Sequence, residues 1–147
     1  MSQIKEFAGT PQTLEASGAS ISNGQSGVAN DADLDNTTAL GFTWSFTLTA
    51  SYGSNVTALQ PIQLYLVPKL DGTNLADVVS GASPSFQPNH FRGTFVNASG
   101  STTGPLILTV EGVPLDPAKY TAYLWNQSGQ TLSSGWALVG YPTSAQN

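Results

Sequence analysis

Apolar and polar residues alternate from Phe42 to Ala50: Phe42, Trp44, Phe46, Leu48 and Ala50 fall on one side, Thr43, Ser45, Thr47 and Thr49 on the other. A period of two sends successive side chains to opposite faces of an extended chain. The stretch therefore predicts a strand with one buried and one solvated face, as in an antiparallel sheet. Pro61 to Asn74, P-I-Q-L-Y-L-V-P-K-L-D-G-T-N, predicts a second strand, with Ile62, Leu64 and Leu66 opposite Gln63, Tyr65 and Val67. Pro61 and Pro68 lack an amide donor and bound that strand, and Asp71-Gly72 supplies a turn at its exit.

Further strands are expected at His90 to Asn97 (Phe91, Gly93 and Phe95 against Arg92, Thr94 and Val96), Leu106 to Val110, Tyr120 to Asn126 (Tyr120, Ala122 and Leu124 against Thr121, Tyr123 and Trp125) and Thr131 to Tyr141. The one helical candidate is a turn at Thr73 to Val79, since no segment carries a capped apolar period of 3.6. Six to eight short strands joined by Gly, Pro and Asn turns predict an all-β protein, an antiparallel β-sandwich of jelly-roll type. The pattern does not specify strand order.

The first 33 residues are apolar-poor. Ile4, Phe7 and Leu14 are isolated around Pro11, and Ser17 to Asn30 offers only Ile21 and Val28 for burial. Asn23-Gly24 predicts a hairpin turn between those two. The expected division is an extended N-terminal arm over 1–33 and the sandwich over 34–147, with Met1 to Leu14 removable without unfolding the rest.

Composition narrows the function. A chain of 147 residues suffices for a real core. No cysteine means no disulfide, thiolate zinc site or cysteine nucleophile. Only 9% of residues are charged, against roughly a quarter in an average domain, so solubility rests on uncharged polar groups. The net charge is -5, and Lys5, Lys69, Arg92 and Lys119 are dispersed, which argues against a phosphate-binding groove and hence against nucleic acid. No apolar run is long enough to span a bilayer, and no apolar leader opens the sequence, so neither a membrane partner nor a secretory signal is expected.

Candidate chemistry is sparse. His90 is the single histidine, and no G-x-S-x-G elbow accompanies it. Asp31, Asp33 and Asp35 alternate, and carboxylates so spaced on a loop can converge on a hard cation. The EF-hand pattern is not met, because Asn36 and Phe42 stand where it needs Gly and Glu. A solvated or partner-facing acidic loop is the alternative and the preferred reading. Glu111, Asp116, Asp71 and Asp77 could supply an acid pair for glycoside hydrolysis, though any nine acids yield such pairs. Trp44, Tyr52, Tyr65, Tyr123, Trp125 and Trp136 could stack on sugars, with Tyr123 and Trp125 the best candidates for an exposed face. The N-x-S/T triplets at Asn36, Asn55, Asn97 and Asn126 are read as a product of composition. No catalytic residue and no cofactor is expected.

Five segments carry a resemblance: Y-L-V-P-K-L-D-G-T-N (Tyr65 to Asn74), L-D-N-T-T-A-L-G-F (Leu34 to Phe42), F-R-G-T-F (Phe91 to Phe95), V-P-L-D-P-A-K-Y (Val113 to Tyr120) and L-W-N-Q-S-G-Q-T-L (Leu124 to Leu132). Together they resemble small virion structural proteins of tailed bacteriophages, which often show P-P-G-K-F where this chain has Asp116 to Tyr120. The resemblance implies a non-enzymatic head decoration or cement protein on the capsid surface, assembled in the host cytoplasm. Its partners would be the major capsid protein and copies of itself, with a trimer the expected assembly. A tail or fibre component, or a carbohydrate-binding sandwich, is the alternative. Partner contacts are expected from the irregular parts: Ile4, Phe7 and Leu14 of the arm, Asp31, Asp33 and Asp35 of the acidic loop, and Phe86 and His90 of the long loop Leu75 to His90.

Overall fold

A computed structural model describes residues 5–40, 42–71, 75, 88–98 and 102–146. They form two antiparallel sheets packed face to face. One contains β1 (Lys5–Ala8), β2 (Gln12–Gly18), β5 (Thr43–Ala50), β8 (Leu106–Pro114) and β10 (Trp136–Gln146). The other contains β3 (Ser26–Val28), β4 (Leu34–Asp35), β6 (Pro61–Lys69), β7 (Phe91–Val96) and β9 (Lys119–Asn126). β1 and β2 lie end to end along one edge of β10, followed by β5 and β8; β3 and β4 lie likewise along β9, followed by β6 and β7.

With each interrupted edge taken as one line, there are eight, and their pairing is nested. First pairs with last, second with seventh, third with sixth and fourth with fifth. This is one long hairpin folded over into two sheets, the connectivity of a jelly roll.

Alternation builds the core as expected. Trp44, Phe46, Leu48 and Ala50 face inward from β5 and meet Ile62, Leu64, Leu66, Phe95, Tyr120, Ala122 and Leu124 of the facing sheet. Each large apolar side chain withdrawn from water contributes about 1.5–3 kcal/mol. A one-residue slip of β5 would turn three such side chains outward, and that fixes its register.

Three expectations are corrected. Phe42 does not join the buried face, because β5 begins at Thr43 and leaves Phe42 68% exposed. Phe91 does not share a face with Phe95. The ladder passes from Leu64↔Gly93 to Tyr65↔Phe91, so Arg92 is an extra residue and Phe91 turns out to meet Tyr65 edge-on at 5.7 Å. A four-residue helix α1 (Asn36–Ala39) stands where none was expected; it is too short to show an apolar period.

The residue-33 boundary is also corrected. Residues 12–18 and 26–28 are the outer strands of the two sheets, and Leu14, Ile21 and Ala29 lie in the core. An edge strand pairs on one side and buries one face, so few apolar residues suffice. The Asn23-Gly24 turn closes no hairpin: Ile21 bridges Leu132 and Val28 pairs with Tyr123, so the turn passes the chain between sheets. The two outer strands are laced together. The Gln12 carboxamide bonds both backbone groups of Asp35, at 2.9 and 2.8 Å, and buried Glu15 accepts from the Asn30 amide at 2.9 Å. On the opposite side, a Cβ on Gly93 would stand 2.4 Å from Val110 Cγ1, so glycine permits β7 and β8 to approach.

Candidate docking site at one end of the sandwich

Register brings scattered segments to a common end. Thr43 lies opposite both Pro114 and Thr143, while Asp35 and Lys69 both lie opposite Lys119. The connections 36–42 and 115–118, the exit from β6 and the entry to β7 therefore share one end of the molecule. Four of the five resemblance segments reach it: Leu34 to Phe42, Tyr65 to Asn74 through Lys69, Phe91 to Phe95 and Val113 to Tyr120.

Asn36 is the keystone. Its side chain is 1% exposed and fully engaged: Nδ2 donates to the Leu115 and Asp116 carbonyls at 3.2 and 3.0 Å, and Oδ1 accepts from Trp44 Nε1 at 3.0 Å. Its amide donates to the Ala118 carbonyl at 3.0 Å. One residue thus ties α1, the 115–118 loop and the core tryptophan together.

Asp35 caps α1, its Oδ1 accepting from Thr37 N at 2.9 Å and Thr37 Oγ1 at 2.6 Å. The Thr37 hydroxyl bond is the main reason the Asp35 carboxyl titrates below its ordinary value; desolvation opposes it, while the Thr37 amide and Lys119 assist. Asp35→Ala is expected to cost about 1 kcal/mol. Because the folded value is depressed, this contribution is present above the ordinary 3.8 and disappears as pH falls through the folded value. Melting of both proteins from pH 7 to 2 should show the gap closing at the acid end; a constant gap would contradict the cap.

Two shallow grooves open at this end and share Phe42 and Leu115. One, about 400 Å³, is lined by Phe42, Arg92, Pro114, Leu115, Asp116 and Tyr120. The other, about 280 Å³, adds Asn36, Leu40 and Pro117 to the shared pair. Leu40 is 59% exposed and held in the left-handed region at φ 45, a conformation that a leucine adopts at a cost. Tyr120 donates its hydroxyl to the Asp116 carbonyl at 3.2 Å, and burial, followed by the Asp116 charge, raises its pKa.

The expected site residues are distributed as follows. Asp31 Oδ2 accepts from the Ala16 amide at 2.7 Å, Asp33 pairs with Lys69 at 2.6 Å and accepts from Thr121 at 2.8 Å, and Asp35 caps α1. The alternating carboxylates are thus aimed at three separate sets of donors, and among the described residues no three His, Cys, Asp or Glu side chains are grouped to hold a metal. Leu14 is fully buried, which corrects its assignment to a partner surface and the expectation that residues 1–14 are removable. His90, 3% exposed at the end of a 3-10 turn (Pro88–His90), is likewise not presented to a partner. Phe7 lies in β1 opposite Ser144; Ile4, Phe86 and Asp77 fall outside the described residues, as does most of Thr73 to Val79.

Among the aromatics, Trp44, Tyr52 and Trp136 are core residues, while Tyr123 and Trp125 are half-buried on the outer face of β9. Trp125 packs on Tyr65 at 6.3 Å with planes 41° apart, so these rings lean on one another and do not form a common plane. Asn36, Asn97 and Asn126 are buried and Asn55 is exposed. Asn126 organises its own turn, donating to the Ile21 and Gln130 carbonyls and accepting from Ser128.

Sequence reasoning missed Leu40, Arg92, Leu115 and Pro117 as site residues. The available signal was apolar residues beside turn-formers, in L-G-F and V-P-L-D-P, where no strand period accounts for them. Compared with known proteins, the chain matches no family model, no curated protein and no solved structure.

Proposed function

We propose that the chain is a non-enzymatic structural protein of a tailed-bacteriophage particle, a decoration or cement protein that binds across joints between major-capsid-protein subunits and stabilises the head. The observation that carries this reading is the convergence of four resemblance segments on one apolar-rimmed end of the sandwich. Two of them place large apolar side chains, Leu40 and Phe42 in one and Leu115 in the other, on or around the shared grooves. Polar residues that chemistry might have used serve the fold: Asp31, Asp33, Asp35 and Asn36 hold loops, and His90 is buried.

On this reading the laced jelly roll is a rigid platform and its apolar end is the docking face. Each copy adds a modest interface, and many copies, with trimers at symmetry positions, raise the barrier to rupture through avidity. β1 lies beside the end of β10 at this same end, which supports a share for it in docking.

The test is co-sedimentation of the protein with empty heads, followed by a density map of the decorated particle. Deleting residues 1–8 leaves β2 and the core in place and is expected to weaken attachment without unfolding the chain. Deleting 1–14 also removes Leu14 and should unfold it. Failure of the intact protein to bind heads, or density on the tail alone, would refute the decoration role.

A further inference from the structure

We propose that the Arg92 groove is an anchor for a carboxylate that carries an apolar side chain beside it, presented by a segment of the shell subunit. The identity of the shell as partner rests on the function proposed above; the chemistry of the groove does not.

Charge singles out Arg92. Lys69 is paired with Asp33 at 2.6 Å and Lys119 with Asp35 at 3.5 Å, whereas among the described residues Arg92 has no carboxylate partner. Its Nη1 is fixed by the Asn89 and Phe91 carbonyls, the latter at 3.1 Å, and its Nε is buried with no hydrogen-bond partner. A buried donor left unmade is costly, and native structures rarely tolerate one without a use for it. With Nη1 engaged and Nε buried, Nη2 is the part of the guanidinium left for an acceptor, and a carboxylate matches it in charge.

The position of Arg92 has a specific origin. It is the extra residue of the β7 bulge, and the bulge takes it out of the ladder and places it on the groove wall beside Phe42 and Leu115. Apolar side chains beside an ion pair lower the local effective dielectric and strengthen it. The adjoining groove, reached across Phe42 and rimmed by exposed Leu40, receives the apolar neighbour of the carboxylate. Asp116, which lines the same groove, repels an anion, so it limits affinity.

Two measurements test this. The first titrates 15N-labelled protein with 4-methylpentanoate, 4-methylpentanamide or acetate and follows Arg92 Nε–H, Phe42 and Leu115 by NMR. The carboxylate with the apolar tail is expected to shift all three, acetate more weakly and the amide hardly at all. Arg92→Gln should abolish the response and Asp116→Asn should strengthen it. Equal response to acid and amide, or an unchanged response in Arg92→Gln, overturns the proposal. The second compares head binding of wild type with Arg92→Gln and Phe42→Ala, both checked for an unchanged melting temperature, and with Ile107→Thr as a distant exposed control.

Loss of about tenfold to a hundredfold is expected for Arg92→Gln, less for Phe42→Ala and none for the control. If Arg92→Gln fails to fold, Asp116→Asn carries the test by tightening binding. Wild-type decoration matched by Arg92→Gln overturns the anchor. Failure of wild type to decorate, with the NMR responses intact, refutes the shell as partner and leaves the carboxylate site standing.

Discussion

Gly18→Ala is expected to destabilise the sandwich by about 3 kcal/mol or more, a large effect for one methyl group. Gly18 closes β2 opposite Trp136, and the indole lies directly over it: a Cβ would stand 2.0 Å from Cε2 and 2.3 Å from Cζ2, where ordinary contact begins near 3.4 Å. Trp136 cannot simply yield, being 2% exposed and donating Nε1–H to the Ala19 carbonyl at 2.7 Å. Making room costs core packing and that hydrogen bond together. Urea unfolding of Gly18→Ala, Trp136→Leu and the double variant would measure it. The double variant should be more stable than the two single losses predict, because a smaller side chain removes the clash. A single variant within about 0.5 kcal/mol of wild type would show that the indole is free to move.

Asn36→Ala is expected to cost about 3 kcal/mol and to damage the docking end at the same time. Truncation leaves Trp44 Nε1–H buried without an acceptor, a loss of about 1–3 kcal/mol, and frees the Leu115 and Asp116 carbonyls that position the groove wall. The companion is Asn36→Asp, which keeps an acceptor for Trp44 but sets a carboxylate against two carbonyls; it should be no more stable than Asn36→Ala. Denaturation gives the stability, and head binding below the melting point gives the second effect. If either variant binds like wild type, the 115–118 loop does not need Asn36 to hold its shape.

Both residues illustrate which features a single chain makes legible. The strands at Thr43 to Ala50, Pro61 to Val67 and Tyr120 to Asn126 follow from alternation, a property of neighbours along the chain. Asn36 resembles any polar residue beside an acidic loop until Leu115 and Asp116, some eighty positions away, close over it. Gly18 sits in a serine- and glycine-rich stretch that resembles a linker until Trp136 lies on it. The apolar-poor N-terminal segment was misjudged for the same reason: its pairing partners are β9 and β10, more than ninety residues ahead.

The sequence by itself determined an all-β sandwich and the inward faces of its central strands, because side-chain alternation and turn chemistry act between residues adjacent in the chain. The tertiary structure alone decided the nested jelly-roll pairing, the burial of Leu14, Asn36 and His90, and the outward turn of Phe91 at the β7 bulge. It also brought Phe42, Arg92 and Leu115 onto one groove. Those outcomes depend on register between strands distant in sequence, which local preference does not encode.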